Sequence, residues 1–162
     1  MLKLAGIILI SGGIAMAGFY KAFRIKESIN IRKALFGFIL RVQTSIESEK
    51  LSLNDIYLSY NNTVLDKTGF TEILKSGNEN PFLHALEESE LKLNKGIYEI
   101  YRDIAENLGK SRIAREESER LKRYISIIEK SEEELIKKDE SAFILYRKLG
   151  ILTGILAVII LI

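Results

Sequence analysis

Cysteine and tryptophan are absent from this chain of 162 residues, and it has one histidine, His84, and one proline, Pro81. Without Cys there is no disulfide framework, no thiolate metal site and no cysteine nucleophile. A lone imidazole gives a triad, metal cluster or proton relay no second histidine to work with. An excess of one sign of charge is missing too: 24 basic residues face 22 acidic ones, a formal net charge of +2. A nucleic-acid-binding domain is normally clearly basic, so no nucleic-acid partner is expected. The charges alternate in sign along helical stretches, as on a solvated face. Finally, charge is missing from both ends. Leu4 to Tyr20 is 17 residues without a charge and Leu149 to Ile162 is 14 more; every charged residue except Lys3 lies between them.

As a helix the first apolar stretch reaches ~26 Å, against a hydrocarbon core of ~30 Å, with Lys3 able to snorkel outward. It carries Gly6, Gly12, Gly13 and Gly18, and Gly13–Ala17 is a small-xxx-small pair of the kind that lets membrane helices approach. A cleavable signal peptide is the rival reading, with Ala15-Met16-Ala17 as its processing site. Lys21, Arg24 and Lys26 follow at once, and such a basic flank favours a retained anchor over residues 1–20. The last stretch, 149–162, reaches only ~21 Å. It either spans, with Arg147 and Lys148 snorkelling, or enters one leaflet; spanning is favoured because it is apolar on every side. Gly150 and Gly154 repeat the small-residue spacing there, and since the two ends run antiparallel, Gly18 is expected to face Gly150 and Gly13 to face Gly154 or beyond. Both basic flanks face the middle of the chain, so the positive-inside rule places residues 21–148 in the cytoplasm and both termini outside.

Residues 21–148 read as helical throughout. Leu35, Ile39, Val42 and Ile46 recur at helical spacing. Ser52 and Asp55 resemble a capping box. Asn61, Asn62 and Asp66 to Gly69 signal loops, and a short helix follows near Phe70–Leu74, ended by Gly77. Asn80 with Pro81 opens another helix, burying Phe82, Ala85, Leu86 and Leu91. Ile97, Tyr101, Ile104 and Leu108 form a stripe closed by Gly109. The Leu108-Gly109-Lys110-Ser111 turn then leads to a long helix, with Gly109 left-handed and Ser111 as the cap. Glu116–Arg120, Glu119–Arg123, Glu133–Lys137 and Glu134–Lys138 are i,i+4 pairs on that helix. Its stripe of Leu121, Ile125, Ile128, Leu135, Ala142 and Leu149 is interrupted by Glu132 and Asp139. Its first half is expected on the bundle and its second half as a stalk. The fold class is all-α, an antiparallel bundle of about five to seven helices flanked by transmembrane helices.

No constellation carries catalysis. His84, beside Leu83 and Leu86, reads as structure. Glu132-Glu133-Glu134 fan around a helix axis and cannot converge on a metal ion. Lys110-Ser111 lacks the first glycine of a phosphate-binding loop, and no strand precedes it. The chain reads as non-enzymatic, with no cofactor.

In order along the chain, several segments resemble stage III sporulation protein AB. They are Met1-Leu2-Lys3-Leu4-Ala5-Gly6, Gly18-Phe19-Tyr20 with its basic flank, and Thr44-Ser45-Ile46 with Leu51-Ser52-Leu53. The Leu108-Gly109-Lys110-Ser111 turn and Tyr146-Arg147-Lys148-Leu149-Gly150 complete the set. Arg112 departs from it, since the family usually has an acidic residue there, and nothing is matched between residues 57 and 90. The resemblance implies a mother-cell membrane protein whose cytoplasmic domain is similar to the F-type platform protein of type II secretion and type IV pilus systems. It implies a non-enzymatic scaffold in an assembly linking mother cell and forespore. Its partners would be the lipid bilayer, a secretion-type ATPase and other, ring-forming membrane components, with homo-oligomerisation left open. The alternative is a membrane-bound signalling or stator-like module acting through the long helix, which would need a partner helix along the Leu121–Ala142 stripe.

Overall fold

The computed structural model describes residues 2–77, 79–111 and 113–161, with the side chains of 2–5, 7–11, 14 and 161 left aside. Lys3 as an interfacial anchor and Arg112 therefore lie outside what is described. The described residues form seven α-helices and one π-helical turn, and no strand. α1 runs Leu2–Thr44 and continues into the π-helical turn Ser45–Glu49, which ends at Lys50 in a left-handed conformation (φ 53°). α2 is Leu53–Ser59, α3 Thr63–Asp66, α4 Phe70–Leu74, α5 Pro81–Glu88, α6 Lys95–Asn107 and α7 Ala114–Leu161.

The helix starts follow from side-chain capping. Ser52 Oγ accepts from the Asp55 N–H at 3.2 Å, Asn62 Oδ1 from Val64 and Leu65, and Asn80 Oδ1 from Leu83 ahead of Pro81. Asn94 does the same for α6, accepting from Ile97 at 2.8 Å. Each cap satisfies N–H groups that have no partner within the helix, worth about 1 kcal/mol apiece.

The chain divides into two compact units. Unit 1 is Met1–Ile29 with Glu134–Ile162, and unit 2 is Asn30–Glu133. Unit 2 is the bundle. Phe38 of α1 is fully buried at its centre, with the rings of Tyr60, Phe82, Phe70 and Tyr57 at centroid distances of 4.9, 5.0, 5.6 and 6.1 Å. Leu35, Ile39 and Val42, one helical turn apart on the same face, are buried with it, as are Leu65, Leu74, Ile97 and Ile104. Two hydrogen bonds tie the connecting segments down: Asn80 Nδ2 donates to Ala105 O of α6 and Glu90 N to Thr68 O in the α3–α4 turn, both at 3.0 Å.

Candidate functional site

The first feature of unit 2 is the turn between α6 and α7. Gly109 has φ +83°, a conformation that L side chains rarely adopt, and a Cβ there would sit 2.8 Å from Leu53 Cδ1. Leu108 is the C-terminal cap of α6. Ser111 does not cap α7, which begins at Ala114. Instead the buried carboxylate of Glu117 folds back from α7 and accepts from the N–H groups of Gly109 (3.1 Å) and Ser111 (3.3 Å). Arg120 donates to both oxygens of Glu117 and to the Asn107 carbonyl. The anion this loop binds is thus the chain's own carboxylate. The expected Glu116–Arg120 and Glu119–Arg123 pairs are replaced: Arg120 turns to Glu117, and Glu119 pairs with Arg115 at 3.2 Å.

The second feature is a polar group within the core. Arg32 of α1 and Glu132 of α7 meet at 2.9 Å with side chains only 4% and 9% exposed. Tyr101 Oη and Glu132 Oε1 are buried with no hydrogen-bond partner among the described residues. Burial pushes the Tyr101 phenol upward, with the Glu132 carboxylate adding to the shift and Arg32 opposing it. Glu132, which broke the apolar stripe of the sequence, is here the partner of a buried cation.

Third, a groove of about 600 Å³ lies beside the π-helical turn, lined by Ile46, Leu51, Glu47, Lys50, Arg115 and Lys122 among others. Arg41 holds the turn through two bonds to Glu49, at 2.7 and 3.0 Å. Glu47 accepts from Lys122 (2.6 Å), Ser118 and Gln43, and the Lys122 bond leads the interactions that hold its carboxyl below the usual range. π-Helical turns recur at functional sites, and this surface of mixed charge is concave and open.

Unit 1 pairs the beginning of α1 with the end of α7. A Cβ on Gly18 would come within 2.6 Å of Gly150 Cα, and one on Gly150 within 3.1 Å of Ala15 O. Lys21 Nζ lies 4.5 Å from the centre of the Tyr146 ring. Gly150, Gly154 and Ala22 are buried, whereas Ile155 and Ile159 are 54% and 68% exposed. Small residues are inside and large apolar residues outside, the reverse of a water-soluble helix pair. Gly13 and Ala17 are exposed and a Cβ on Gly13 would meet nothing within 4 Å, so the expected Gly13–Ala17 face is not the packed one. The packed face runs through Ala15, Gly18 and Ala22, spaced three and four apart, and the helix rotates Ala17 about 100° away from Gly18. Among the described residues one helix, Ala114–Ile160, is long and apolar enough to cross a membrane by length and composition.

His84 Nδ1 lies 3.4 Å from Glu88 Oε1, one turn along the same helix. No group of three or more potential metal ligands occurs among the described residues.

The family model of stage III sporulation protein AB matches residues 3–162, nearly the whole chain. The chain belongs to this family. Stage III sporulation protein AB membership ties the chain to sporulation, and the match takes in both apolar ends and the bundle alike. No curated protein and no solved structure matches the chain.

Sequence reading missed the Glu117 carboxylate and the Arg32–Glu132 pair. Both left traces: a carboxylate shortly after a Gly-x-Ser turn, and an acid standing in an apolar stripe. Gly18 opposite Gly150 follows from the antiparallel run of the two apolar ends, whereas the expected contact of Gly13 is not found.

Proposed function

We propose that this protein is a non-enzymatic, membrane-anchored scaffold of a sporulation-specific, secretion-like complex. In this reading both ends lie in the mother-cell membrane facing the forespore, with termini outside and residues 21–148 in the cytoplasm. The bundle docks a secretion-type ATPase and ring-forming membrane partners, in the manner of the F-type platform protein. The observation that carries it is the inverted packing of unit 1. A pair of helices with glycine inside and isoleucine outside loses apolar surface to water, but gains close backbone contact in lipid. The basic residues Lys21, Arg24, Lys26, Arg147 and Lys148 lie on the bundle side of both apolar stretches, which supports the cytoplasmic placement. The stator-like reading needs an open seam along α7. Within the Leu121–Ala142 stripe, Leu121 and Ile128 are buried and Glu132 is paired with Arg32 of α1.

Proximity labelling from the bundle in sporulating cells tests the proposal. It should recover a secretion-type ATPase and other membrane proteins made only during sporulation. Recovery of soluble enzymes alone would overturn it.

A further inference from the structure

Unit 1 carries a groove beside the helix contact, with Ala22 shared between the two. It is about 540 Å³ in volume, within the ~300–1,000 Å³ range of small-molecule sites. Met16, Phe19 and Phe23 of α1 and Phe143 of α7 line it together with Lys26 and Arg147, and Tyr20 and Ala22 belong to its wall as well. Met16, Phe19, Phe23 and Lys26 are spaced three, four and three residues apart and so share one helix face. That face is adjacent to the packed one through Ala15, Gly18 and Ala22. Along it the character changes from thioether to aromatic to cation over about 15 Å.

The general lean of helical side chains inclines the two cations toward a common level. Side chains lean toward the N-terminus of their own helix. α1 leaves the apolar stretch as it passes Lys26, so Lys26 leans back toward that stretch. α7 enters its apolar stretch after Arg147, so Arg147 leans away from it, toward the level of Lys26. Neither makes an ion pair among the described residues. An apolar trough with two cations in its lining has the chemistry of one occupant above others: a phospholipid with an anionic headgroup.

We propose that this groove is a binding site for an anionic phospholipid. Lys26 and Arg147 hold the headgroup phosphate, and Met16, Phe19, Phe23 and Phe143 receive an acyl chain. The site rests on the membrane reading above. It would make attachment of this chain sensitive to the anionic lipid content of its membrane, beyond general attraction to a charged surface.

The absence of tryptophan gives a clean reporter. Full-length protein carrying Phe19→Trp is reconstituted into phosphatidylcholine vesicles containing brominated phosphatidylcholine or brominated phosphatidylglycerol, and quenching is compared. The proposal expects phosphatidylglycerol to be preferred roughly tenfold. Lys26→Gln with Arg147→Gln should abolish the preference while quenching by brominated phosphatidylcholine persists, which shows that the variant is still inserted. Arg24→Gln with Lys148→Gln removes the same charge elsewhere and should keep the preference. Equal quenching by the two lipids, or equal loss in both double variants, would overturn the site and leave the membrane reading standing. No quenching by either lipid would remove both.

Discussion

At the scale of single residues, the sharpest feature is the Arg32–Glu132 pair inside the bundle. Two charges taken out of water are costly, and their attraction offsets that cost only while both are present. Arg32→Ala should therefore destabilise the protein by about 3–5 kcal/mol, because it strands a buried carboxylate. Arg32→Met with Glu132→Leu should recover most of that loss, as measured by urea unfolding of both variants. A double variant as unstable as the single one would mean that the pair contributes more than mutual neutralisation. The tyrosines set the alkaline limit. Burial raises Tyr57 and Tyr101, and raises Tyr60 from 10.0 to about 12. A folded pKa above the unfolded one gives stability that is full below pH 10 and is lost as pH rises toward the folded value. For Tyr60 the window is pH 10 to about 12. Tyrosinate absorbance from these three should appear together with loss of helical circular dichroism, rather than ahead of it. The pair itself was illegible in the sequence because its partners lie 100 residues apart. Pattern reading registers an acid in an apolar stripe but not the cation that answers it.

At the scale of elements, the caps were the legible part. Ser52, Asn80 and Pro81 stand directly before the apolar periods they open, so their signal is local, whereas Asn62, the cap of α3, reads only as a loop residue. The π-helical turn was not legible, since Ile46 continues the spacing of Leu35, Ile39 and Val42 through it. The α6–α7 turn divides its roles in a way that substitutions can separate. Ser111 contributes its backbone N–H, so Ser111→Ala should change stability by no more than about 0.5 kcal/mol. Glu117→Ala strands the N–H groups of Gly109 and Ser111, and should cost about 1–3 kcal/mol or more. Thermal melts of the two variants decide between this arrangement and an ordinary serine cap, which predicts the opposite order. In the helix pair, the contact is backbone on backbone at Gly18 and Gly150, where no flexible side chain can give way. Gly18→Ile or Gly150→Ile should expose α7 to protease in reconstituted vesicles. Gly13→Ile, facing open space, should not. Equal protection of all three would mean that the glycines are ordinary membrane-helix residues.

At the scale of the whole molecule, hydropathy and compact packing divide the chain differently. The charge-free stretch ends at Tyr20 and charge runs from Lys21 to Lys148, yet unit 1 extends to Ile29 and begins again at Glu134. The helix pair thus includes charged stretches beyond the apolar ones, and it is there that Lys21 meets Tyr146 and Lys26 meets the groove. All-helical character was readable from periodicity and from the scarcity of Pro. Division into units was not, because α1 and α7 each run through both without a break in pattern. The scaffold account stands on the apolar ends being embedded with the bundle on the cytoplasmic side. The natural chain has no cysteine, so single cysteines report that arrangement without background. Cysteines at position 2 and appended at the C-terminus should react with an impermeant thiol reagent in intact sporulating cells. Glu87→Cys, on the exposed face of α5, should react only after the cells are opened. Labelling of Glu87→Cys in intact cells, with both termini protected, would contradict the account.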